Sequence, residues 1–279
     1  MLLASVEPDL QSWTGFVTPS TRSVQSSNGA EREDGVTNPV LRSSCANLTP
    51  ISSITPFTLQ DYPHHTACIL WFSGCNFRCG YCHNPDLVFS RGEKLTEEKV
   101  FSFLESRKNL LDGVVFSGGE CTIFPGLIPL IERVKKMGFL IKLDTNGSNP
   151  KVVRELIERG LVNYIAIDYK APQKKFFEVT RHKKFSNFSE TLDEIFRQKS
   201  KTLGKIDFEV RTTIHSDLLD ENDVNEIIFD LEKRGFDKKF FLQNFFGKNP
   251  TLGNLPPSKK INLEKIVKSS QFEIEWRNF

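Results

Sequence analysis

At 279 residues the chain can bury one sizeable core, and its length suits a single α/β domain with or without a tail. Lys and Arg number 37 against 35 acidic residues, and a net charge of +2 excludes a global attraction to nucleic acid or to an anionic membrane. No run approaches the roughly 18 apolar residues of a membrane span, and "MLLASVEPDLQ" has neither a basic n-region nor a sustained apolar stretch, so a cytoplasmic protein with reduced thiols and no membrane partner is expected.

Residues 7–53 are rich in Ser, Thr, Asn, Pro and Gly and show no steady period, the composition of a segment that cannot repay its ordering entropy. A disordered N-terminal extension, residues 1–50, is therefore expected before a core domain of residues 51–279. From Thr55 onward, β-branched and aromatic runs alternate with amphipathic stretches. The strand "TACILWFSG" comes first, then a helix near Thr96, "GVVFSGG", a helix near Gly126, "FLIKLDTNG", and a helix near Pro150. "VNYIAIDYK", a helix near Ser189, "IDFEVRTTI", a helix near Asp220 and "KKFFLQNFF" follow. Thr96 reads as an N-cap with acids in the next turn, and Pro150 as a first helical residue. Six strands separated by five helices imply parallel crossovers rather than hairpins. The closing "FEIEWRNF" alternates like a last short strand with no partner assigned.

Three of the six cysteines fall within eight residues, Cys75, Cys79 and Cys82 in "SGCNFRCGYCHNPD", directly after the first strand. Thiolates gathered there point to a metal. A structural zinc site usually has four ligands in two pairs, and no second pair exists here; His83 or His64 would have to complete a zinc knuckle. Three thiolates suit a cubane iron–sulfur cluster with one open iron. Cys45, Cys68 and Cys121 are too dispersed for a second cluster. Cys68 reads as core and Cys121 as a partly buried bystander.

The triad C-x3-C-x2-C, with Tyr81 before its last cysteine, resembles the signature of the radical S-adenosylmethionine (SAM) superfamily. The resemblance implies a partial (β/α)6 barrel and a [4Fe-4S] cluster ligated by Cys75, Cys79 and Cys82. It implies SAM chelated at the open iron, and one-electron cleavage of SAM to methionine and a 5′-deoxyadenosyl radical. "VVFSGGECT" follows one β–α unit later, and its Gly118, Gly119 and Glu120 resemble the element that holds the methionine amino group in that family. Relatives often carry Pro where this chain has Cys121.

Polar residues stand at the C-terminal ends of later strands: Asp144, Thr145 and Asn146, then Asp168 and Lys170, Arg211 and Thr213, and Gln243. Barrel enzymes build sites at that rim. With Tyr81, His83, Gly118, Gly119 and Glu120, the rim residues Asp144, Thr145, Asp168, Lys170, Arg211 and Gln243 form the expected cofactor-binding set. Asp144 and Asp168 are placed to share a hard cation or to hold Lys170; a structural salt bridge is the alternative.

The run "TLQDYPHHTACILWFSGCNFRCGYCHNPDLV", with "FSGGECT", "LDTNG" and "IDYKAP", is most similar to the activating proteins of glycyl radical enzymes, over about residues 55–250. Within them it is nearest to those serving anaerobic ribonucleoside-triphosphate reductase. Relatives with Gly in place of His64 imply a different local turn. The resemblance implies a protein substrate, a glycine of a glycyl radical enzyme, and an electron donor such as flavodoxin or ferredoxin. The basic run from Lys170 to Phe185 reads first as a solvated face, and otherwise as a dock for an acidic partner or RNA. It keeps open a nucleoside- or tRNA-modifying enzyme of the 7-carboxy-7-deazaguanine synthase kind. A non-catalytic iron–sulfur module is the third reading, and the rim residues argue against it.

Overall fold

The computed structural model of the protein describes residues 49–197, 206–245, 247 and 250–278. The tail expected over residues 1–50 lies outside them except for Thr49 and Pro50, and so does Cys45. The described chain builds an open eight-stranded sheet in sequence order. Six parallel strands form its middle: β2 (Ala67–Phe72), β3 (Gly113–Gly118), β4 (Leu140–Thr145), β5 (Tyr164–Asp168), β6 (Asp207–Ile214) and β7 (Lys239–Asn244). They are the six strands expected from the alternation.

The flanks were less legible. β1 (Ile51–Thr58) runs antiparallel along β2, although residues up to 53 read as tail. Its serines and broken alternation hide it, and the register slips twice along its length. Thr49 is buried beside it, its hydroxyl donating to Leu95 O at 2.8 Å. At the far edge, β8 (Glu273–Arg277) pairs parallel with β7, which supplies the partner the sequence left open.

Helices cross between the parallel strands. α1 (Pro85–Val88) is a single turn after the cysteine run. α2 (Glu97–Glu105) starts at Thr96, whose hydroxyl accepts from Lys99 N. α3 (Leu127–Lys136) and α4 (Pro150–Glu158) begin where the sequence placed them, the latter with Pro150 in its first turn. A short α5 (Phe176–Thr180) was not anticipated. α6 (Phe185–Arg197) begins four residues before Ser189, because Phe185 and Phe188 join the aromatic group of Tyr169 and Phe176. α7 (Glu221–Lys233) opens with a reciprocal cap: Asp223 N donates to the Asp220 carboxylate and Asp220 N to that of Asp223, each at 3.0 Å.

Strand alternation divides the sheet into two faces. Cys68, Leu70, Phe72, Val114, Phe116, Ile141, Leu143, Ile165, Ile167, Phe208 and Val210 join the helix side chains in the main core. On the opposite face Ala67, Ile69, Val115 and Tyr164 make a small apolar cluster with Tyr62. Farther along that face, toward the C-terminal strand ends, the side chains become charged, and there the site is found. Among the described residues no helix is long and apolar enough to cross a membrane.

Candidate functional site

The cysteine loop leaves β2 at Phe72 and is held by backbone bonds to distant segments. Gly74 N donates to Leu87 O at 2.6 Å, Cys75 N to Val88 O at 3.3 Å and Arg78 N to Thr180 O at 2.8 Å. Within the loop, Cys82 N closes a turn on Cys79 O at 3.0 Å. From the far end of the chain, Leu252 N donates to Cys82 O at 2.9 Å and Gly253 N to Gly80 O at 2.8 Å. That last strap has no signal in the local sequence.

Cys75, Cys79 and Cys82 all line one cavity at the C-terminal strand ends. Of the expected set, Tyr81, His83, Gly118, Gly119, Asp144, Thr145, Asp168, Lys170 and Arg211 line it too. Gln243 and Glu120 do not. Ser117, Phe77, Asn84 and Val88 line it without having been singled out, although Ser117, at a strand end beside Gly118, obeys the same rim rule.

Glu120 is 1% exposed and works beneath the wall. Its Oε1 accepts from Thr122 N, the Thr122 hydroxyl and the Thr145 hydroxyl at 2.6–3.1 Å, and its Oε2 from Asn146 N at 2.6 Å. Burial pushes its carboxyl upward, against these donors. Glu120 thus ties the end of β3 to the end of β4. Gly118 and Gly119 are likewise demanded by chain against chain: a Cβ on Gly118 (φ 114°) would lie 2.5 Å from Phe72 N, and one on Gly119 2.0 Å from Gly74 O. Only glycine lets β3 end so close to the root of the cysteine loop.

The charged rim is a closed network. Lys142, 2% exposed, gives its ammonium to Asp144 Oδ1 at 2.6 Å, and the Ser117 hydroxyl donates to Asp144 Oδ2 at 2.9 Å. Arg211 Nε donates to Asp168 Oδ1 at 2.9 Å, with Nη1 3.6 Å from Asp144, and Lys170 Nζ donates to Asp168 Oδ2 at 3.0 Å. Burial alone would raise Asp168, but Arg211 and Lys170 outweigh it and hold the carboxyl at about 2. Burial would lower Lys170, and Asp168 more than offsets that and raises it. Of the alternatives for Asp144 and Asp168, the hold on Lys170 and the salt bridge are what the structure has: the protein's own cations occupy both carboxylates. Gln243 sits on β7 in register with Arg277 and with Thr213, which lines the cavity, but does not line it itself.

The donor set fits a cluster with SAM beside it. Cys75 Sγ receives Phe77 N at 3.4 Å and Asn146 Nδ2 at 3.9 Å, donors that suit a thiolate. Burial pushes Cys75 up to about 11 and Cys79 up to about 12, so both stay protonated until a metal takes the proton's place. Among the described residues no three His, Cys, Asp or Glu side chains converge as one ion requires. A four-iron cluster takes separate cysteines on separate irons, and Cys75, Cys79 and Cys82 share one cavity wall. Tyr81 is the described residue whose buried side-chain oxygen has no partner, and the Lys170 ammonium lies 5.7 Å from its ring. An unpartnered phenol on a cavity wall awaits a ligand's polar atom.

The alternatives for the histidines separate. His83 lies flat on Phe245, centroids 4.9 Å apart at 9°, at the edge of the cavity. His64 sits in the β1–β2 turn and lines a different cavity, beside the first residues of β5, β6, β7 and β8, so it cannot complete a knuckle with the cysteines. Its φ of 65° is the left-handed conformation that glycine favours, so the histidine holds a backbone geometry that glycine would adopt without strain. Cys121 is fully buried, its thiol donating to Ser117 O at 3.6 Å, and Cys68 is core.

A sequence model of the radical SAM superfamily matches residues 69–242, more than half of the chain. A Methanocaldococcus jannaschii protein named as a glycyl-radical enzyme activating enzyme is 34% identical over 186 residues, covering 63% of this chain and 73% of that protein. The pyruvate formate-lyase-activating enzyme of Clostridium pasteurianum is 38% identical over 103 residues, 35% of this chain and 43% of that one. A 7-carboxy-7-deazaguanine synthase of Methanopyrus kandleri is 31% identical over 122 residues, 36% of this chain and 48% of that one. The chain thus spans less than half the length of the last two.

Proposed function

Because the chain belongs to the radical SAM superfamily, we propose that it activates a glycyl radical enzyme, with anaerobic ribonucleoside-triphosphate reductase as the partner. The observation that carries this reading is the joining of Cys75, Cys79 and Cys82 to the charged rim on one cavity wall. When bound, a [4Fe-4S] cluster and SAM supply one-electron cleavage of SAM and, through it, removal of a hydrogen atom from a glycine α-carbon.

The residues of this chain bind and orient. Cys75, Cys79 and Cys82 would hold the cluster and leave one iron open to SAM. Lys170, anchored by Asp168, keeps two N–H groups free of that bond to take a carboxylate, and Arg211 fixes Asp168 so that Lys170 cannot swing away. Gly118 and Gly119 bring the end of β3 against the loop, and Thr145 and Asn146 line the wall that Glu120 ties to β3. Hydrogen-atom removal from glycine needs no general base, and the histidine on the cavity wall, His83, is stacked on Phe245. The sheet is open between β1 and β8, and such an opening can admit a glycine-bearing loop of another protein.

The relative of wider coverage is an activating enzyme, and the match to the deazaguanine synthase reaches less than half of that protein. Anaerobically reconstituted protein, reduced and given SAM with an anaerobic ribonucleotide reductase, should yield a glycyl doublet in electron paramagnetic resonance. A doublet on a pyruvate formate-lyase alone would move the partner within the same chemistry. Consumption of a deazapurine precursor with no doublet on either enzyme would replace the reading.

A further inference from the structure

The activase reading requires one electron for each SAM cleaved, and the cavity mouth must meanwhile receive the glycine of the partner. The electron then has to enter from another side of the cysteine loop. The outer side of that loop carries a cationic and aromatic surface. Phe89, 44% exposed, lies between two guanidinium groups, with Arg78 5.1 Å and Arg91 5.0 Å from its ring centroid. None of the three lines the cavity. Arg78 Nη1 donates to Cys75 O at 2.5 Å and to Phe77 O at 2.7 Å, so the surface is bonded directly to the segment that bears the first thiol.

The same face gathers charge from far along the chain. Arg78 N donates to Thr180 O, which brings the exposed Arg181, Lys183 and Lys184 alongside, while His182 rests on Phe77 with centroids 4.9 Å apart. The acids near these cations are Asp86, 3.8 Å from Arg91, and the exposed Glu93 and Glu178. Arg78, Arg91, Lys94, Arg181, Lys183 and Lys184 against Asp86, Glu93 and Glu178 make a local excess of cations on a chain whose net charge is only +2. The basic run that the sequence left as a solvated face thus continues a surface bonded to the cysteine loop.

We propose that this surface, resting on the activase reading, docks an acidic one-electron carrier protein that reduces the cluster. The carrier loses one electron and the cluster gains one; no bond or proton need move. A positive, partly aromatic surface steers an acidic protein into place and places its redox centre against Arg78 and Phe89, next to the loop carrying Cys75. A glycyl radical enzyme is disfavoured as occupant because the surface lies off the cavity through which its glycine must reach SAM.

The test is a variant carrying Arg91→Glu, Lys183→Glu and Lys184→Glu, residues outside the cavity wall and the cysteine loop. Bleaching of the cluster absorption is followed anaerobically by stopped flow with a reduced acidic ferredoxin, at low and high salt, and in parallel with dithionite. The variant should be reduced by ferredoxin at least about tenfold more slowly at low salt, with a flattened salt dependence. Dithionite reduction, and dithionite-driven SAM cleavage and glycyl radical formation, should match the unaltered protein. Unchanged reduction by ferredoxin overturns the proposal. So does loss of glycyl radical formation under dithionite with ferredoxin reduction intact, since the surface would then belong to the glycyl radical enzyme. Failure of the activase reading is separate: the unaltered protein would cleave SAM and leave no radical on any glycyl radical enzyme.

Discussion

Asp168 accepts from Arg211 at 2.9 Å and from Lys170 at 3.0 Å, and with its carboxyl held at about 2 it remains charged well below the usual carboxylate range. Asp168→Asn should therefore cost about 2 kcal/mol at neutral pH. Because the folded value is depressed, that contribution is complete above about pH 4 and fades as pH falls toward 2; denaturant melts of both proteins across that window should converge. At Gly119 a Cβ would sit 2.0 Å from Gly74 O, a backbone atom with no rotamer to yield. Gly119→Ala should lower stability by about 2–3 kcal/mol and reduce the iron held after reconstitution, read by melting and iron analysis. His64→Gly should act in the other direction, raising stability by up to about 1 kcal/mol, since the residue already holds a φ of 65°. The sequence showed the cysteines and most rim residues because each stands at a strand end. It grouped Glu120 with the cavity residues because a motif tells which residue is present, whereas the bonds to Thr122, Thr145 and Asn146 that occupy its carboxylate come from the ends of β3 and β4 meeting.

The elements with strong periodicity were legible from one end of the chain to the other. β2 to β7 and the starts of α2, α3, α4 and α7 lie where alternation and capping residues put them. α5 was not legible, being five residues long and stabilised by Phe77 and His182 against Phe176 rather than by its own pattern. The strap from Thr251 to Leu255 was invisible for a related reason, because its bonds to Gly80 and Cys82 join residues about 170 positions apart. Gly253 is where the two segments touch: its Cβ would lie 2.9 Å from Gly80 Cα. Gly253→Val should loosen the cysteine loop, so that iron is lost to a chelator several-fold faster while the melting temperature of the barrel changes little. An unchanged chelation rate would remove the strap from the account.

For the whole molecule, an open sheet with apolar strands toward the helices and charged strand ends on the other face gathers one cavity from β2 to β6. β1 guards the edge of β2, and Thr49 begins that cover through Leu95. A chain starting at Thr49 should retain cluster content, while one starting after Thr58 should lose cooperative unfolding; equal behaviour of the two would deny β1 that role. The central claim, that this cavity takes a hydrogen atom from a glycine of another protein, is tested most directly by isotope transfer. An anaerobic ribonucleotide reductase and a pyruvate formate-lyase, each labelled with α-deuterated glycine, would be incubated with the reduced protein and SAM. The account predicts deuterium in the released 5′-deoxyadenosine from one of them, abolished by Cys79→Ala. Released 5′-deoxyadenosine that carries no deuterium from either partner would contradict it.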